Sequence, residues 1–595
     1  MSKQTYTNAA ILRVSLTDGS IRREKISSDD FAQYLGGRGL GVKLLYENLP
    51  PGIDPLSPDN WLIFAVGPMT ATSVPTAGRF VVVTKSPLTG TIFDSHAGGY
   101  FGAQLRKAGY IAVIFEGASS SPVYLWINDG EVELRDASKL WGKDTAVTTE
   151  GLLKETDSKA QVACIGPAGE NQVKLAAIMT DLHRAAGRGG VGAVMGSKKL
   201  KAVVVRGTGD VAVANADRLS DAVKHARRLI KKNPVTSKAL PVYGTAVLVN
   251  VTNEFGMLPT FNFQEGNFND AVAVSGEKLL ERLSVKRYNC YGCPIGCGRV
   301  STAYGQEVGG PEYETIWAFG PQCGINDLEW IAMVNHRCNL LGVDTISVGS
   351  TIGCAMELVQ KGKMEAPLKF GDTTGILDLI EDIALARGLG AELGEGSRTL
   401  ASRYSAPELA MHVKGLEIPA YDPRGAQGHA LGYATSNRGG CHLRSYLIGP
   451  EIMGSPVRID RDKTEGKPDL VILFQNLSAA MDSLVVCRFT NFAWTVDDYA
   501  DMAAACTGLP IDGSALLAIG ERIWNLERLF NLREGLTAED DTLPERFSTA
   551  LSEGGSRNRV VHLKEMLTKY YALRGWDKAG QPTRNTLKKL DIPGS

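Results

Sequence analysis

No stretch of about eighteen uninterrupted apolar residues occurs in this chain, so no segment is a candidate to cross a bilayer as a helix. Net charge is nearly missing too. The chain sets 64 Lys plus Arg against 65 Asp plus Glu, which leaves no global field to draw in nucleic acid or an anionic membrane. Cysteine is sparse: ten in 595 residues are too few for the disulfide scaffold of a secreted protein. The opening residues Met1 to Thr7 carry no apolar stretch after their basic residue, so no secretory leader is expected and the chain reads as cytoplasmic. No short-period repeat or low-complexity tract is found, which argues against a solenoid or a disordered tail. What remains is a large globular chain with room for about three to four domains, whose partners have to be sought in local sites.

The placing of the cysteines says more than their number. Cys290, Cys293 and Cys297 share one short loop, Cys290-Tyr-Gly-Cys-Pro-Ile-Gly-Cys297, and Cys487 stands alone nearly two hundred residues later. Thiolates two and three residues apart, on backbone opened by Gly292, Pro294 and Gly296, can converge on one polynuclear site, and an iron–sulfur cube needs four. A structural zinc could use the same ligands, but zinc modules usually present two compact pairs in a small ribbon. Cys164, Cys323, Cys338, Cys354, Cys441 and Cys506 lie scattered among apolar or small residues and read as buried hydrophobes.

The first two hundred residues hold short β-like runs: Ile11 to Leu16, Ile21 to Ile26, Trp61 to Val66, Arg79 to Lys85, Ile111 to Phe115, Val123 to Ile127 and Ala202 to Val205. Glycine clusters at Gly36–Gly41, Gly98–Gly99 and Gly187–Gly192 interrupt them and suggest backbone approaching a large, flat cofactor. The third contains Gly-x-Gly-x-x-Gly. A dinucleotide site is rejected there, because the segment from Ala176 is a poor strand lead and no ribose-binding carboxylate follows about twenty residues on. From about Asn215 the periodicity becomes helical, in 217–231, 276–283, 326–341, 376–387, 496–507, 513–533 and 560–573. The expectation is an α+β chain with breaks near 207–215 and 419–428. It divides into a β-rich domain over 1–210, a helical domain with the tri-cysteine loop over 211–420, and a helical C-terminal domain with the fourth cysteine over 421–595.

The order of motifs resembles the tungsten-dependent aldehyde ferredoxin oxidoreductase family from end to end. The resemblance is carried by Tyr34-Leu-Gly-Gly-Arg-Gly-Leu-Gly, Gly67-Pro-Met-Thr, Thr76-Ala-Gly-Arg-Phe, Lys85-Ser-Pro-Leu-Thr-Gly and the run from Arg184 to Lys198. Gly310-Pro-Glu-Tyr-Glu-Thr, Leu341-Gly-Val-Asp-Thr-Ile-Ser and Leu567-Thr-Lys-Tyr-Tyr-Ala-Leu-Arg-Gly-Trp-Asp extend it. It implies a β-rich base beneath two mainly helical domains, with tungsten, or molybdenum, held by the dithiolenes of two pterins. A [4Fe-4S] cluster on Cys290, Cys293, Cys297 and Cys487 would lie beside them, and magnesium bridging the pterin phosphates is a further option. Two family motifs that hold the pterins read here Asn339-Leu-Leu-Gly-Val-Asp344 and Asp482-Ser-Leu-Val-Val-Cys487. Asn339 lacks the family's carboxylate and Val485 stands where the family has glycine. Asp344 and Asp482 suit pterin N–H donors, with helix capping as the plain alternative.

The resemblance also places Arg79, Arg184, Ala185 and Arg444 around the pterins and their phosphates, with His96 where asparagine is common. Arginine suits phosphate because its fork offers paired donors. Glu314 matches the family's active-site glutamate, with Glu312 as its rival, and His442 matches the active-site histidine. They would take a proton from the attacking water and donate a hydrogen bond to the aldehyde oxygen. Electrons would leave by the cluster to ferredoxin or an iron–sulfur subunit. An oligomer is expected, but the family's intersubunit Glu-x-x-His metal site is not carried over, since Met333 replaces the carboxylate before His336. Two other readings stay open: a tungsten-dependent aromatic acyl-CoA ring reductase subunit, and a cluster-only electron-transfer subunit.

Overall fold

Short apolar runs broken by turns build two six-stranded sheets in the first third of the chain. The computed structural model describes residues 9–592, so the N-terminal residues read above as lacking a leader lie outside it. The first sheet consists of β1 (Ala10–Ser15), β2 (Ile21–Lys25), β3 (Leu62–Ala65), β4 (Phe80–Lys85), β5 (Ile92–Ala97) and β6 (Tyr110–Glu116), in the order β2-β1-β6-β3-β4-β5. The second consists of β7 (Val123–Asn128), β8 (Glu131–Asp136), β9 (Gln161–Cys164), β10 (Ile178–Thr180), β11 (Arg184–Ala186) and β12 (Leu200–Arg206), in the order β8-β7-β12-β9-β10-β11. The two orders are the same pattern used twice. In each sheet the first and sixth strands, β1 with β6 and β7 with β12, are parallel and every other pair is antiparallel.

The duplication extends to the turns. Gly67-Pro68 follows β3 and Gly166-Pro167 follows β9, and each glycine takes the end of one helix against its backbone. A Cβ on Gly67 would lie 2.1 Å from the Leu484 carbonyl oxygen, and one on Gly166 would lie 2.4 Å from that of Leu341. Those carbonyls end the helices Lys467–Leu484 and Leu328–Leu341. The next residues, Val485 at φ 58° and Gly342 at φ 72°, are left-handed. For buried, β-branched Val485 this conformation is costly. The motifs at 339–344 and 482–487 therefore stand at equivalent places on two copies of one sheet. Gly67→Ala and Gly166→Ala are each expected to lower stability by about 1–3 kcal/mol through overpacking, read as a lowered thermal midpoint. Gly130→Ala, whose Cβ meets nothing nearer than 3.6 Å, should leave it unchanged.

In two of the glycine clusters, single glycines also let parts of the protein itself approach closely, while Gly187 lines both cavities described below. Gly37 begins the helix Gly37–Asn48, and its absent Cβ lets that helix approach the Asp482 carbonyl oxygen, to which a Cβ would be 2.5 Å. Gly189 lies against the Phe93 ring, 2.4 Å from where its Cβ would be. The Gly-x-Gly-x-x-Gly stretch does join a strand, β11, to the helix Val191–Ser197. Yet β11 is an edge strand paired antiparallel with β10 and separated from β12 by two intervening strands, so no parallel βαβ unit forms.

After residue 210 the chain is mainly helical, and the architecture is α+β with a strand-rich N-terminal part. Two small sheets interrupt the helices: β13 (Ser284–Tyr288), β14 (Gly298–Ala303) and β15 (Gln306–Gly309) in sequence order, and the short pair β16 (His412–Val413) and β17 (Leu416–Glu417). The tri-cysteine loop is the turn between β13 and β14. The helices Lys467–Leu484, Val496–Thr507 and Gly513–Arg533 share one apolar core with the first sheet, while residues from 246 to 433 form most of a second core. Edge strands β5 and β11 pack on each other where the two sheets meet.

Candidate active site

Two adjoining cavities, of about 380 and 230 Å³, open over the junction of β5 and β11. They share Arg79, His96, Ala185, Asp344, His442 and Arg488 as lining. Every site residue read from the sequence borders one or both. Cys290, Cys293, Cys297, Cys487, Arg184, Asn339 and Glu314 line the larger, and Arg444 and Asp482 the smaller.

The four cysteines come from two places. The hairpin turn is held by Arg287 Nη2 donating to the Ile295 carbonyl (2.9 Å), Asn289 Nδ2 donating to that of Cys293 (3.0 Å), and Tyr291 N–H donating to that of Gly99 (3.1 Å). Gly98 lets β5 approach so closely that a Cβ there would lie 2.8 Å from Cys290 Sγ. Cys487 arrives just beyond the helix end at Val485. All four thiols are unbridged. Burial, with the neighbouring Cys487 adding, pushes the Cys293 thiol up to about 11, and burial holds Cys297 and Cys487 above the usual range. A donor set of crowded, half-buried thiols fits a cationic iron–sulfur centre, which would deprotonate its ligands.

Beside them is a buried arginine network. Arg38 forks onto Glu527 (2.6 and 2.7 Å) and reaches Asp482 (3.2 Å). Arg444 joins Asp482 (2.8 Å) to Asp94 (2.7 Å), Arg488 bonds the other Asp482 oxygen (3.1 Å), and Arg438 donates to the Asp94 carbonyl. Three buried guanidiniums and the half-buried one of Arg488 thus face three carboxylates. Arg438 Nε, Arg444 Nε and Arg184 Nε and Nη2 are buried with no acceptor among the described residues, which suits an anionic, phosphate-bearing ligand. Removing the shared carboxylate in Asp482→Ala is expected to cost about 3–5 kcal/mol, measurable by denaturant unfolding, because Arg38 and Arg444 each lose one of their carboxylate partners and Arg488 loses its only one among the described residues.

The two motif aspartates differ. Asp344 caps the helix Thr345–Gln360, accepting from Ile346 N–H (3.1 Å) and Ser347 N–H (3.3 Å), and pairs with Arg188 (3.3 Å). Asp482 caps nothing and is the hub of the arginines. Asp94, His96 and Asp482 bring three possible metal-ligand atoms within 4.8 Å of one another, with His96 Nε2 2.9 Å from Asp94 Oδ2. Their carboxylates are already committed to arginine.

Glu314 sits in the first turn of the helix Tyr313–Phe319. Its Oε2 accepts from the Ala420 N–H (3.0 Å), and its Oε1 faces His442 Nε2 at 3.5 Å. Burial pushes this carboxyl up to about 8, the charges of Asp344 and Cys441 adding to the effect. His442 is held well below the usual imidazole range by burial and by nearby His429, Arg188 and Arg438. At neutral pH a largely protonated carboxyl therefore faces a neutral imidazole. Glu312, the rival, stands at the N-cap position of the same helix without bonding its backbone, and its side chain is spent on Arg184 (3.2 Å) and Thr245 Oγ1 (2.6 Å).

Composition around Cys441 suggested a buried hydrophobe, and the structure corrects this. Its sulfur accepts from Arg438 Nη2 (2.9 Å) and Leu443 N–H (3.3 Å), and despite burial the two neighbouring arginines bring the thiol down to about 7. Arg38, Arg188, Arg438, Arg488 and Asp94 were also missed. Arg38 and Arg188 lie in quoted glycine motifs, but nothing local marks any of the five as part of a buried network.

Residues 11–207 match the description "Aldehyde ferredoxin oxidoreductase, N-terminal domain" and residues 221–592 match "Aldehyde ferredoxin oxidoreductase, domains 2 & 3". The chain belongs to the aldehyde ferredoxin oxidoreductase family. It is 50% identical to the tungsten-containing aldehyde ferredoxin oxidoreductase of Pyrococcus furiosus over 98% of both chains. It is 49% identical to that of Thermococcus kodakarensis, again over 98% of each. Among solved structures it resembles the active-site complex BamBC of benzoyl coenzyme A reductase, with a TM-score of 0.87 and 28% identity over 99% of this chain and 98% of that one. Val485, which stands where the resemblance puts glycine, adopts the left-handed backbone that glycine would supply.

Proposed function

We propose that this chain oxidises aldehydes to carboxylic acids at a tungsten centre carried by two pterins, in the cytoplasm, and passes the electrons through a [4Fe-4S] cluster to ferredoxin or an iron–sulfur subunit. The reaction converts aldehyde and water to acid, two protons and two electrons. When bound, the pterin-held metal accepts the electron pair and the cluster hands electrons on singly. Cys290, Cys293, Cys297 and Cys487 would hold the cluster. Arg79, Arg184, Ala185, Arg444, His96, Asn339, Asp344 and Asp482 would hold the pterins and phosphates, together with magnesium bound to those phosphates. Residues 1–210 would form the cofactor base, with 211–420 and 421–595 closing over it.

The observation that carries the reading is the Glu314–His442 pair, 3.5 Å apart in the cavity that the four cysteines also line. Glu314, as carboxylate, takes a proton from the attacking water, and a raised pKa makes it a stronger base at that moment. His442, neutral, donates to the aldehyde oxygen as charge develops there. Tyr421, Tyr446, Leu443, Phe474 and Phe492 supply an apolar, largely aromatic wall that favours uncharged aldehydes.

A second reading, aromatic acyl-CoA ring reduction, draws on the likeness to the benzoyl coenzyme A reductase complex. Aldehydes and an aromatic acyl-CoA assayed side by side with a viologen dye separate the two. Aldehyde-driven dye reduction is the expected result, and activity toward the thioester alone would replace the proposal. A cluster-only carrier leaves the unpartnered arginine donors without a purpose.

A further inference from the structure

The proposed reaction needs an exit for electrons, and a patch of charge beside the cysteine hairpin bears on where that exit is; the inference rests on the reading above. Between Asp221 and Glu254 the chain has six Lys or Arg and no acid: Lys224, Arg227, Arg228, Lys231, Lys232 and Lys238. In a chain whose total charge is −1 this is a strong local excess. The helix Ala216–Lys232 buries Leu219, Val223, Ala226 and Ile230, so its cations are turned outward, and all six are exposed. Lys224 pairs with Asp221 (3.1 Å), and Arg228 bonds His225 (2.8 Å). Arg227, Lys231, Lys232 and Lys238 have no carboxylate partner among the described residues.

Helix-end electrostatics gives a plain account of Lys231 and Lys232, worth about 0.3–1 kcal/mol each in the last turn. It does not cover Arg227 and Arg228, which lie further back, or Lys238, which lies beyond the helix. What distinguishes this patch from an ordinary solvated face is its bracing. Trp494 Nε1 donates to the Ala226 carbonyl (3.0 Å) and Asn233 Nδ2 to that of Phe492 (2.5 Å), both within the segment that leaves Cys487. Arg299 Nη2, on the strand that leaves Cys297, donates to the carbonyls of Leu240 (3.1 Å) and Pro241 (2.7 Å). Ile230 and Leu240 share a core with Ile295, against which Cys293 and Cys297 pack. At the turn of the hairpin, Asn289, Gly292 and Pro294 are exposed. Two further cations, Lys107 with its ammonium 5.6 Å from the Tyr291 ring centre and Arg287, flank that turn without carboxylate partners among the described residues.

We propose that this basic surface, centred on Arg227, Arg228, Lys231, Lys232 and Lys238 beside the cysteine hairpin, is the docking site of a small acidic electron carrier of the ferredoxin type. Complementary charge steers the encounter and sets its salt dependence, while leaving the chemistry at the cavity untouched. Each docking removes one electron from the cluster, so two carriers are reduced per aldehyde oxidised.

The test is the triple variant Arg227→Glu, Arg228→Glu, Lys231→Glu, made at exposed helical positions. Binding of a purified acidic [4Fe-4S] ferredoxin to the anaerobically purified holoenzyme is measured by calorimetry at low ionic strength, without aldehyde turnover. The expected result is a Kd weakened about tenfold or more, with the steep salt dependence of the wild type flattened. Aldehyde-driven viologen reduction should be unchanged. Wild-type affinity in the variant overturns the proposal. So does wild-type affinity accompanied by an altered sedimentation coefficient, which would assign the patch to a contact between copies of this chain. Viologen reduction reports separately on aldehyde oxidation, so failure of docking and failure of the proposed reaction are distinguishable.

Discussion

Glu314→Gln is expected to lower kcat/KM for aldehydes by about 10²–10⁴ while tungsten and iron contents stay at wild-type levels. Glutamine keeps the shape and can still accept from the Ala420 N–H, but it cannot take a proton from water. The adjacent carboxylate is the control. Glu312 is engaged with Arg184 and Thr245, so Glu312→Gln should cost about tenfold at most, through the loss of an ion pair that is partly exposed. The pH profile adds a signature that a structural role would not give. With the Glu314 carboxyl at about 8, wild-type kcat/KM should rise with pH through an apparent pKa near that value, and the Gln variant should lose this limb. The stability linkage has the opposite sense. The folded state holds this proton up to about pH 8, whereas the unfolded chain releases it near the ordinary 4.5, so the folded state binds more protons across that window. Stability contributed by this site therefore falls as pH rises from about 4.5 to 8, and Glu314→Gln flattens that fall. Full activity in the variant with both metals retained would remove Glu314 from the chemistry.

Cys487→Ser is expected to abolish electron delivery to ferredoxin and to lose most of the iron. Serine is a poor substitute for a thiolate at an iron–sulfur centre, and the three hairpin cysteines cannot complete a four-thiolate set alone. Iron per chain and the visible absorbance of the cluster are the readouts. Cys506→Ser, in the helix Val496–Thr507, is the matched control and should keep its iron. Equal iron in both variants would break the assignment of Cys487 to the cluster.

Much of this was legible in the chain because the signals were local. Continuous β-branched runs such as Phe80–Lys85 and long apolar periodicities such as Gly513–Arg533 are written into neighbouring residues. The cysteine spacing and the Glu314 and His442 motifs are likewise short-range patterns. What escaped depends on contacts across hundreds of positions. The strands Ile178–Thr180 and Arg184–Ala186 are three residues each, too short to show a period, and exist because a sheet edge recruits them. Arg438 and Arg488 look like surface charges until Asp94 and Asp482 are folded against them. Cys441 looks like a small hydrophobe until two arginines surround its sulfur. The glycines at 37 and 189 signal close approach, but sequence does not say whether the neighbour is a cofactor or another stretch of backbone, and here it is the protein itself. The pattern of two equivalent six-stranded sheets is a property of topology, with Gly67-Pro68 and Gly166-Pro167 as its faint trace in sequence.

Metal content of the anaerobically purified chain tests the central claim most directly. Four cysteines on one wall and partnerless arginine donors on the next predict about four iron atoms and one tungsten, or molybdenum, per chain, with pterin released on denaturation. Zinc in place of iron, or iron without either heavy metal, would contradict it.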